Sequence, residues 1–439
     1  MKESIELSDL AWLEKSIQDE SFPLLQRPIV NFGLNRVGYD EGEIAKNPPV
    51  FGLTVPAPSV PNQHQTGRCW MFAGYNIIRN AIAKELNLAS FDVSYVYLQF
   101  FDKLEKANFF LEKAMERLDK GLEGIEIMYL LEKGIADGGH FAMFANLASK
   151  YGIVPENAMR ATVCSECTPE MNYRLRQILA EGFLALRKAH KNGKGEETLR
   201  SIKKKVLCSV YRLLCLCLGV PPKEFTFEAM NKDNKVLFLH STPKEFYERY
   251  AKQELESYIT LGSFPMEGIP LHSKVTSSLV NNVVEGEPVV FFNCEVKEMK
   301  KAVKKELLEG RAVWFAADSN ASSDRKGGYF LRDLYRLDEA TGIPVKLQKG
   351  ERLSTRVSTA AHAMAITGLE ERKGKILRYQ VLNSWGTQAG INGHYTMDDG
   401  WFSEYVYQIF VKKTSVSKEV LEAYESAELI EMSPWVTLF

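Results

Sequence analysis

The chain has 439 residues, 45% of them hydrophobic and 25% charged, the balance of an ordinary globular protein with ample material for a core. Lys and Arg number 55 against 56 Asp and Glu, a formal net charge of −1, so the total offers no electrostatic case for nucleic acid or an anionic membrane as partner. Seven cysteines, an odd count without a disulfide rhythm, point to free thiols in a reducing compartment.

The first ten residues are acidic and amphipathic and lack the apolar run of a signal peptide, which predicts a cytoplasmic protein. Residues 1–60 read as an N-terminal helix followed by an extended arm through Asn47-Pro48-Pro49 and Val55-Pro56-Ala57-Pro58. From residue 61 to 154 the pattern is helical. Trp70, Met71, Phe72, Ala73, Tyr75, Ile77, Ile78 and Ala81 repeat at helical spacing after a Thr66-Gly67 turn. Further helices are predicted over Val93–Arg117, Ile125–Glu132 and Phe141–Tyr151. His140 follows a double glycine and reads as a surface histidine, with a place in a cleft as the alternative.

Residues 155–270 turn long and charged, with helices over Met171–Lys191 and Glu196–Leu218 joined by His190-Lys191-Asn192-Gly193-Lys194-Gly195. The apolar window Val206–Val220 contains Arg212 and falls short of the roughly 17–25 residues that span a bilayer, so it is read as a core helix and no membrane is expected. Cys164-x2-Cys167 and Cys215-x-Cys217 do not make a zinc set, because the second pair has the wrong spacing and lies in an apolar helical run. Neither metal nor cofactor is expected. From 271 to 415 short apolar strands take over at Val289–Phe292, Ala312–Ala317, His362–Thr367 and Ile376–Leu382, with an amphipathic helix over Lys297–Glu309. Residues 416–439 read as a C-terminal helix and a tail.

Chemistry enters with Cys69. A thiol at a helix N-terminus meets unpaired backbone N–H groups and the positive end of the helix dipole, which favour the thiolate. An isolated cysteine beside Trp and Phe is otherwise only a small buried residue. The difference is made by His362, which begins one predicted strand, and Asn383, which follows the next. In an antiparallel pair those ends meet, so Asn383 can orient the imidazole while Trp385 shields their bond from water. Gln63, six positions before Cys69, offers an amide donor for an oxyanion. His394, in a Gly-rich turn with no following Asn-Ser-Trp element, is the weaker choice of base.

Gln63-x5-Cys69-Trp70, His362-Ala363-Met364-Ala365 and Asn383-Ser384-Trp385-Gly386 together resemble the papain-type cysteine peptidases. The run Asn62-Gln63 to Gly67-Arg68-Cys69-Trp70 is similar to the bleomycin hydrolase and aminopeptidase C family in particular. Segments Tyr97–Asn108 and Leu218–Phe225 extend that likeness over nearly the whole chain. His362 lies about twice as far beyond Cys69 as the ~130–150 positions of a plain papain domain, consistent with a large insertion. The resemblance implies an α+β papain-like fold: a helical half, an antiparallel β-barrel half, a helical insertion and two terminal arms. It implies a peptidase acting on peptides and a homohexamer, with the insertion carrying oligomer contacts. It also implies that the terminal carboxylate, here on Phe439, lies in the cleft and pairs with a substrate's α-ammonium. The ending Trp435-Val436-Thr437-Leu438-Phe439 is shorter than the family's, which leaves dipeptide removal or endopeptidase action open beside aminopeptidase action. Two other classes use or discard the same residues: an amidase or transglutaminase relative, and a non-catalytic ring scaffold.

Overall fold

In the computed structural model, which describes residues 4–57 and 59–439, the helical half is built on a helix spanning Cys69–Glu85. Met1 to Glu3 and Pro58, at the start of the N-terminal segment and in the arm, lie outside the described residues. The Cys69 helix buries residues all round, from Trp70 to Ile78 and on to Ile82 and Ala83, which is the signature of a helix inside a core rather than on it. Helix Phe141–Tyr151 packs directly on it, Tyr95–Met115 sets Tyr95 against its Phe72 and Tyr75, and Ile125–Lys133 packs on Tyr95–Met115. Ser94 caps helix Tyr95–Met115 by accepting from the Tyr97 N–H at 3.1 Å. Gly74 lets Phe144 approach so closely that a Cβ there would lie 2.6 Å from its ring.

Among the described residues the second half is a twelve-stranded sheet. Its path runs from Leu429–Glu431 through Lys274–Thr276, Val290–Asn293, Tyr258–Gly262 and Val406–Lys412 to Val313–Ala317. It continues through His362–Arg372, Lys375–Leu382, His394–Asp398 and Tyr329–Phe330 to Ser323–Asp324. Most neighbours are antiparallel. Strand Val313–Ala317 is buried on both faces: Trp314 and Ala316 join the core shared with the helices, while Val313, Phe315 and Ala317 pack on the side of helix Val296–Leu308. A strand covered on both faces loses hydrophobic alternation, which is why it reads in the sequence as one apolar run. Trp314 Nε1 donates to the Trp70 carbonyl at 3.1 Å and ties this sheet to the Cys69 helix.

Several expectations need correcting. The N-terminal helix is a series of short helical segments, the longest being Phe22–Phe32, which ends at Gly33 with φ +82°. The extended arm contributes a strand, Leu53–Thr54, paired with Leu369 and Gly368. Residues 155–270 are not wholly helical. Phe225–Met230 and Val236–Ser241 form an antiparallel hairpin closed by a turn in which the Asn231 side chain accepts from the N–H groups of Asp233 and Lys235. Tyr258–Gly262 belongs to the main sheet, so the strands begin before residue 271. Val206–Val220 is not a core helix: in Glu196–Leu218 only Val210, Leu214 and Leu218 are buried, while Leu216 and Val220 are more than 70% exposed. Helices Pro169–Lys191 and Glu196–Leu218 both pack on Tyr95–Met115, with Phe183 against Phe110 and Tyr211 against Phe100, and an apolar average cannot tell a covered face from an uncovered one.

Candidate active site

Cys69 is the first residue of its helix, and its sulfur lies 3.4 Å from the Ala363 N–H, at the start of the strand that opens with His362. That strand pairs antiparallel with Lys375–Leu382, so the beginning of one and the end of the other meet. Asn383, the next residue, therefore reaches the imidazole: its Oδ1 is 2.9 Å from His362 Nε2, and both side chains are buried. The same oxygen accepts the Ser384 N–H at 2.7 Å, which fixes the amide's orientation. The Trp385 ring stacks on His362 with centroids 4.8 Å apart and covers this bond.

Gln63 arrives by a short antiparallel bridge in which its N–H donates to the Ser384 carbonyl at 2.8 Å. The Ser384 hydroxyl donates to Gln63 Oε1 at 2.6 Å, which leaves Nε2 as the group turned toward the turn before Cys69, where it donates to the Thr66 carbonyl at 2.6 Å. An amide nitrogen carries two protons, so one remains for a second acceptor.

Burial pushes the Cys69 thiol up, against the backbone N–H groups of Ala363, Trp70 and Cys69 itself. Burial likewise lowers His362 to about 4, with Asn383 acting the other way and the Arg325 charge adding to the fall. Burial thus works against the thiolate that the helix N-terminus and its N–H groups favour. Taken singly, neither the thiolate nor the imidazolium is favoured by burial at this seam.

The turn carrying Cys69 is anchored from below by Asp137. Its carboxylate pairs with Lys103 Nζ at 2.7 Å and accepts from Thr168 Oγ1 at 2.6 Å, Asn172 Nδ2 at 2.8 Å and the Gly67 N–H at 3.0 Å. The Asp137 carbonyl accepts from Trp70 Nε1 at 2.7 Å. Burial alone would raise this carboxyl, but Lys103, Thr168 and Gly67 more than offset it and hold it well below the ordinary carboxylate range.

Cys69 and His362 open onto a cavity of about 460 Å³ lined also by Met143, Leu279, Val280, Trp435 and Phe439. The tail is docked in it. Trp435 Nε1 donates to the Ile125 carbonyl at 3.0 Å, Thr437 Oγ1 to the Leu353 carbonyl at 3.0 Å, and Gln408 Nε2 to the Leu438 carbonyl at 2.8 Å. Leu438 is 1% exposed. His140 is not a surface residue: it lines this cavity, edge-on to Phe291 and Phe439 at 5.3 and 6.2 Å, and burial lowers it to about 4. The double glycine explains its place, because a Cβ on Gly139 would come within 2.6 Å of the Trp70 ring, so the chain can press inward there.

A family model, the Peptidase C1-like family, matches residues 4–438. The chain belongs to this family. Aminopeptidase C of Listeria monocytogenes serovar 1/2a is 37% identical over 388 residues, 88% of this chain and 87% of that protein. Aminopeptidase G of Lactobacillus delbrueckii subsp. lactis is 32% identical over 440 residues, covering both proteins in full. The crystal structure of PepW from Lactobacillus rhamnosis HN001 superposes with a TM-score of 0.95 at 31% identity, over 100% of this chain and 99% of that one. The protein is a cysteine peptidase of the papain-like fold.

Within this Peptidase C1-like frame the structure brings Cys69, His362, Asn383, Trp385 and Gln63 to one seam, and Phe439 to the cavity beside it. His394 stands apart, with Nδ1 against the Asn392 carbonyl at 3.1 Å. Asp137 went unread in the sequence, and Ser384 was read only as a member of the Asn-Ser-Trp-Gly motif, with no task of its own. Asp137 adjoins the double glycine and Ser384 the asparagine, and only the folded contacts give them a task. All seven cysteines are free, and among the described residues no group of three or more His, Cys, Asp or Glu is arranged to hold a metal.

Asp137→Asn would leave Lys103 buried without its counter-charge, and we expect a loss of about 3–5 kcal/mol at neutral pH, read from urea unfolding. The folded carboxyl titrates below its unfolded value, so its contribution is complete above the unfolded range and fades as the pH falls below about 4. The gap between the parent and the variant should narrow on acidification; a gap that stays constant would remove Asp137 as the anchor.

Proposed function

We propose that this protein is an aminopeptidase that removes N-terminal residues from peptides through a thioester on Cys69. The observation that carries the reading is the meeting, in one cavity, of the Cys69 sulfur, the Asn383-bound imidazole of His362 and the chain's own terminus. Cys69 gives its proton to His362 and its sulfur attacks the scissile carbonyl carbon. The oxyanion forms between the Cys69 N–H and the free proton of Gln63 Nε2, each such donor being worth about 2.7–4 kcal/mol in comparable acyl-transfer sites. His362 returns the proton to the leaving amine, which departs and leaves the thioester. Water then attacks, passing a proton to His362, and the acid is released as the thiol is restored. Asn383 holds the imidazole in the tautomer and orientation that both transfers need, and Trp385 keeps water from their bond.

The aminopeptidase register rests on charge. No Asp or Glu is found among the described residues that line the cavity, so the α-carboxylate of Phe439 is the anion offered to a substrate's α-ammonium. The names of the relatives, Aminopeptidase C and Aminopeptidase G, accord with that register.

A homohexamer is proposed as the working assembly. Leu7, Trp12, Leu24, Val30 and Phe32 on the N-terminal helices, and Leu216, Val220 and Phe238 on the insertion, are large apolar side chains left exposed in the single chain. Such surface is characteristic of subunit contacts. Among the described residues no helix is long and apolar enough to cross a membrane. The free cysteines favour the cytoplasm as the proposed location.

Cys69→Ala and His362→Ala should each remove nearly all hydrolysis while circular dichroism stays unchanged, because neither partner works alone. Asn383→Ala should be milder. Substantial turnover by pure Cys69→Ala enzyme would defeat the assignment. Deleting residues 437–439 should raise cleavage of N-blocked peptides and lower that of free aminoacyl substrates; an intact enzyme that already prefers blocked peptides would contradict the carboxylate anchor. Sedimentation at micromolar concentration should give a hexamer, and a monomer would refute the assembly.

A further inference from the structure

Between helix Lys349–Ser354 and the strand that opens at His362 runs a loop whose residues Arg356, Thr359, Ala360 and Ala361 line the cavity. Two of the tail's hydrogen bonds end on this helix and loop. Thr437 Oγ1 donates to the Leu353 carbonyl at 3.0 Å, and Arg356 Nη2 donates to the Trp435 carbonyl at 3.1 Å. Helix, loop and His362 therefore form one cassette that carries the imidazole at one end and the chain terminus along its side. A tail meant to set a substrate's register is only as well placed as this cassette.

The cassette is fastened to the sheet through Ser358, which is 2% exposed. Its hydroxyl donates to Asp318 Oδ2 at 2.6 Å and lies 2.6 Å from the Tyr407 hydroxyl. A serine has a single proton to give, and Asp318 receives it, so Tyr407 must donate to Ser358. Hydrogen bonds thus run in one direction, from Tyr407 through Ser358 to Asp318. Both ends lie in or directly after strands of the main sheet. Asp318 directly follows Ala317, the residue paired with His362 across the sheet. Tyr407 lies in strand Val406–Lys412, with the Lys349 ammonium 5.2 Å over its ring. That same ammonium donates to the carbonyls of Ser403 and Val406 at 2.9 and 2.8 Å, which holds the first turn of the cassette's helix to the same strand.

We propose that Ser358, held by Asp318 and Tyr407, is a positioning residue that sets the chain terminus in register with His362, and so fixes how far a substrate's first residue stands from the scissile bond. The proposal rests on the aminopeptidase reading above. Ser358 touches neither substrate nor the reacting atoms, and its effect passes through the loop to Arg356, Leu353 and the tail they hold. Substrates anchored by their α-ammonium depend on it, and N-blocked substrates, which make no such bond, depend on it far less.

The test compares a fluorogenic free aminoacyl amide with an N-blocked peptide amide on the full-length protein. Ser358→Ala leaves the two buried partners without their shared hydroxyl, and we expect kcat/KM for the free substrate to fall about tenfold, mostly through KM, against about twofold or less for the blocked one. Tyr407→Phe removes one hydroxyl and should shift the same ratio in the same direction by about threefold, which keeps the test decisive should the first variant fold poorly. In a chain ending at Val436, Ser358→Ala should act on both substrates alike, since the register it sets is gone. Equal losses on both substrates in the full-length protein, or a ratio shift that persists in the shortened chain, would overturn the proposal. A parent enzyme that favours the blocked peptide would instead refute the aminopeptidase reading itself, before any variant is compared.

Discussion

The seam between the first turn of the Cys69 helix and the strand beginning at His362 is the contact on which the rest of the structure depends. Two residues far apart in the chain, Cys69 and His362, are held on one seam, and no local geometry supplies that. It is supplied by two large bodies pressed together. Trp314 from the sheet reaches the backbone of Trp70, and Ala363 directs its N–H to the Cys69 sulfur. Burial at the seam works against charge on either group alone, disfavouring both the Cys69 thiolate and the His362 imidazolium.

Most polar groups around the seam are buried and bonded, Asn383 Nδ2 being one without a partner among the described residues, and each bond fixes an orientation that apolar packing leaves free. Ser384 decides which end of the Gln63 amide faces the cysteine turn, and the Asn383 oxygen is divided between an imidazole and a backbone N–H. Asp137 gathers four donors from three separate segments around the turn. Such groups are costly to bury singly, and satisfied together they define one arrangement.

The tail extends the same logic to the chain's end. Its tryptophan, threonine and last leucine are fixed by hydrogen bonds to four different elements, and the terminal phenylalanine fills space between His140 and Phe291. A free terminus is ordinarily frayed. Here apolar burial and backbone bonds hold it in the cavity, so the proposed aminopeptidase register arises from the chain closing part of its own cleft.

The sequence by itself determined the residue types and their local settings. Apolar spacing marked the helices over Cys69–Glu85, Tyr95–Met115, Pro169–Lys191 and Glu196–Leu218 to within a few residues, because periodicity is written by burial of a face. Cys69 at a helix start, His362 at a strand start and Asn383 after a strand end were legible for the same local reason. Tertiary structure alone decided what no window of residues contains. It decided that His140 faces the cleft, that one face of Glu196–Leu218 stays uncovered, and that Tyr258–Gly262 is a strand of the main sheet. It also decided that Asp137, Ser384 and Ser358 are anchors. A short polar side chain has no periodic signature, and its task is set by partners far away in the chain, whose distance in space only the fold creates.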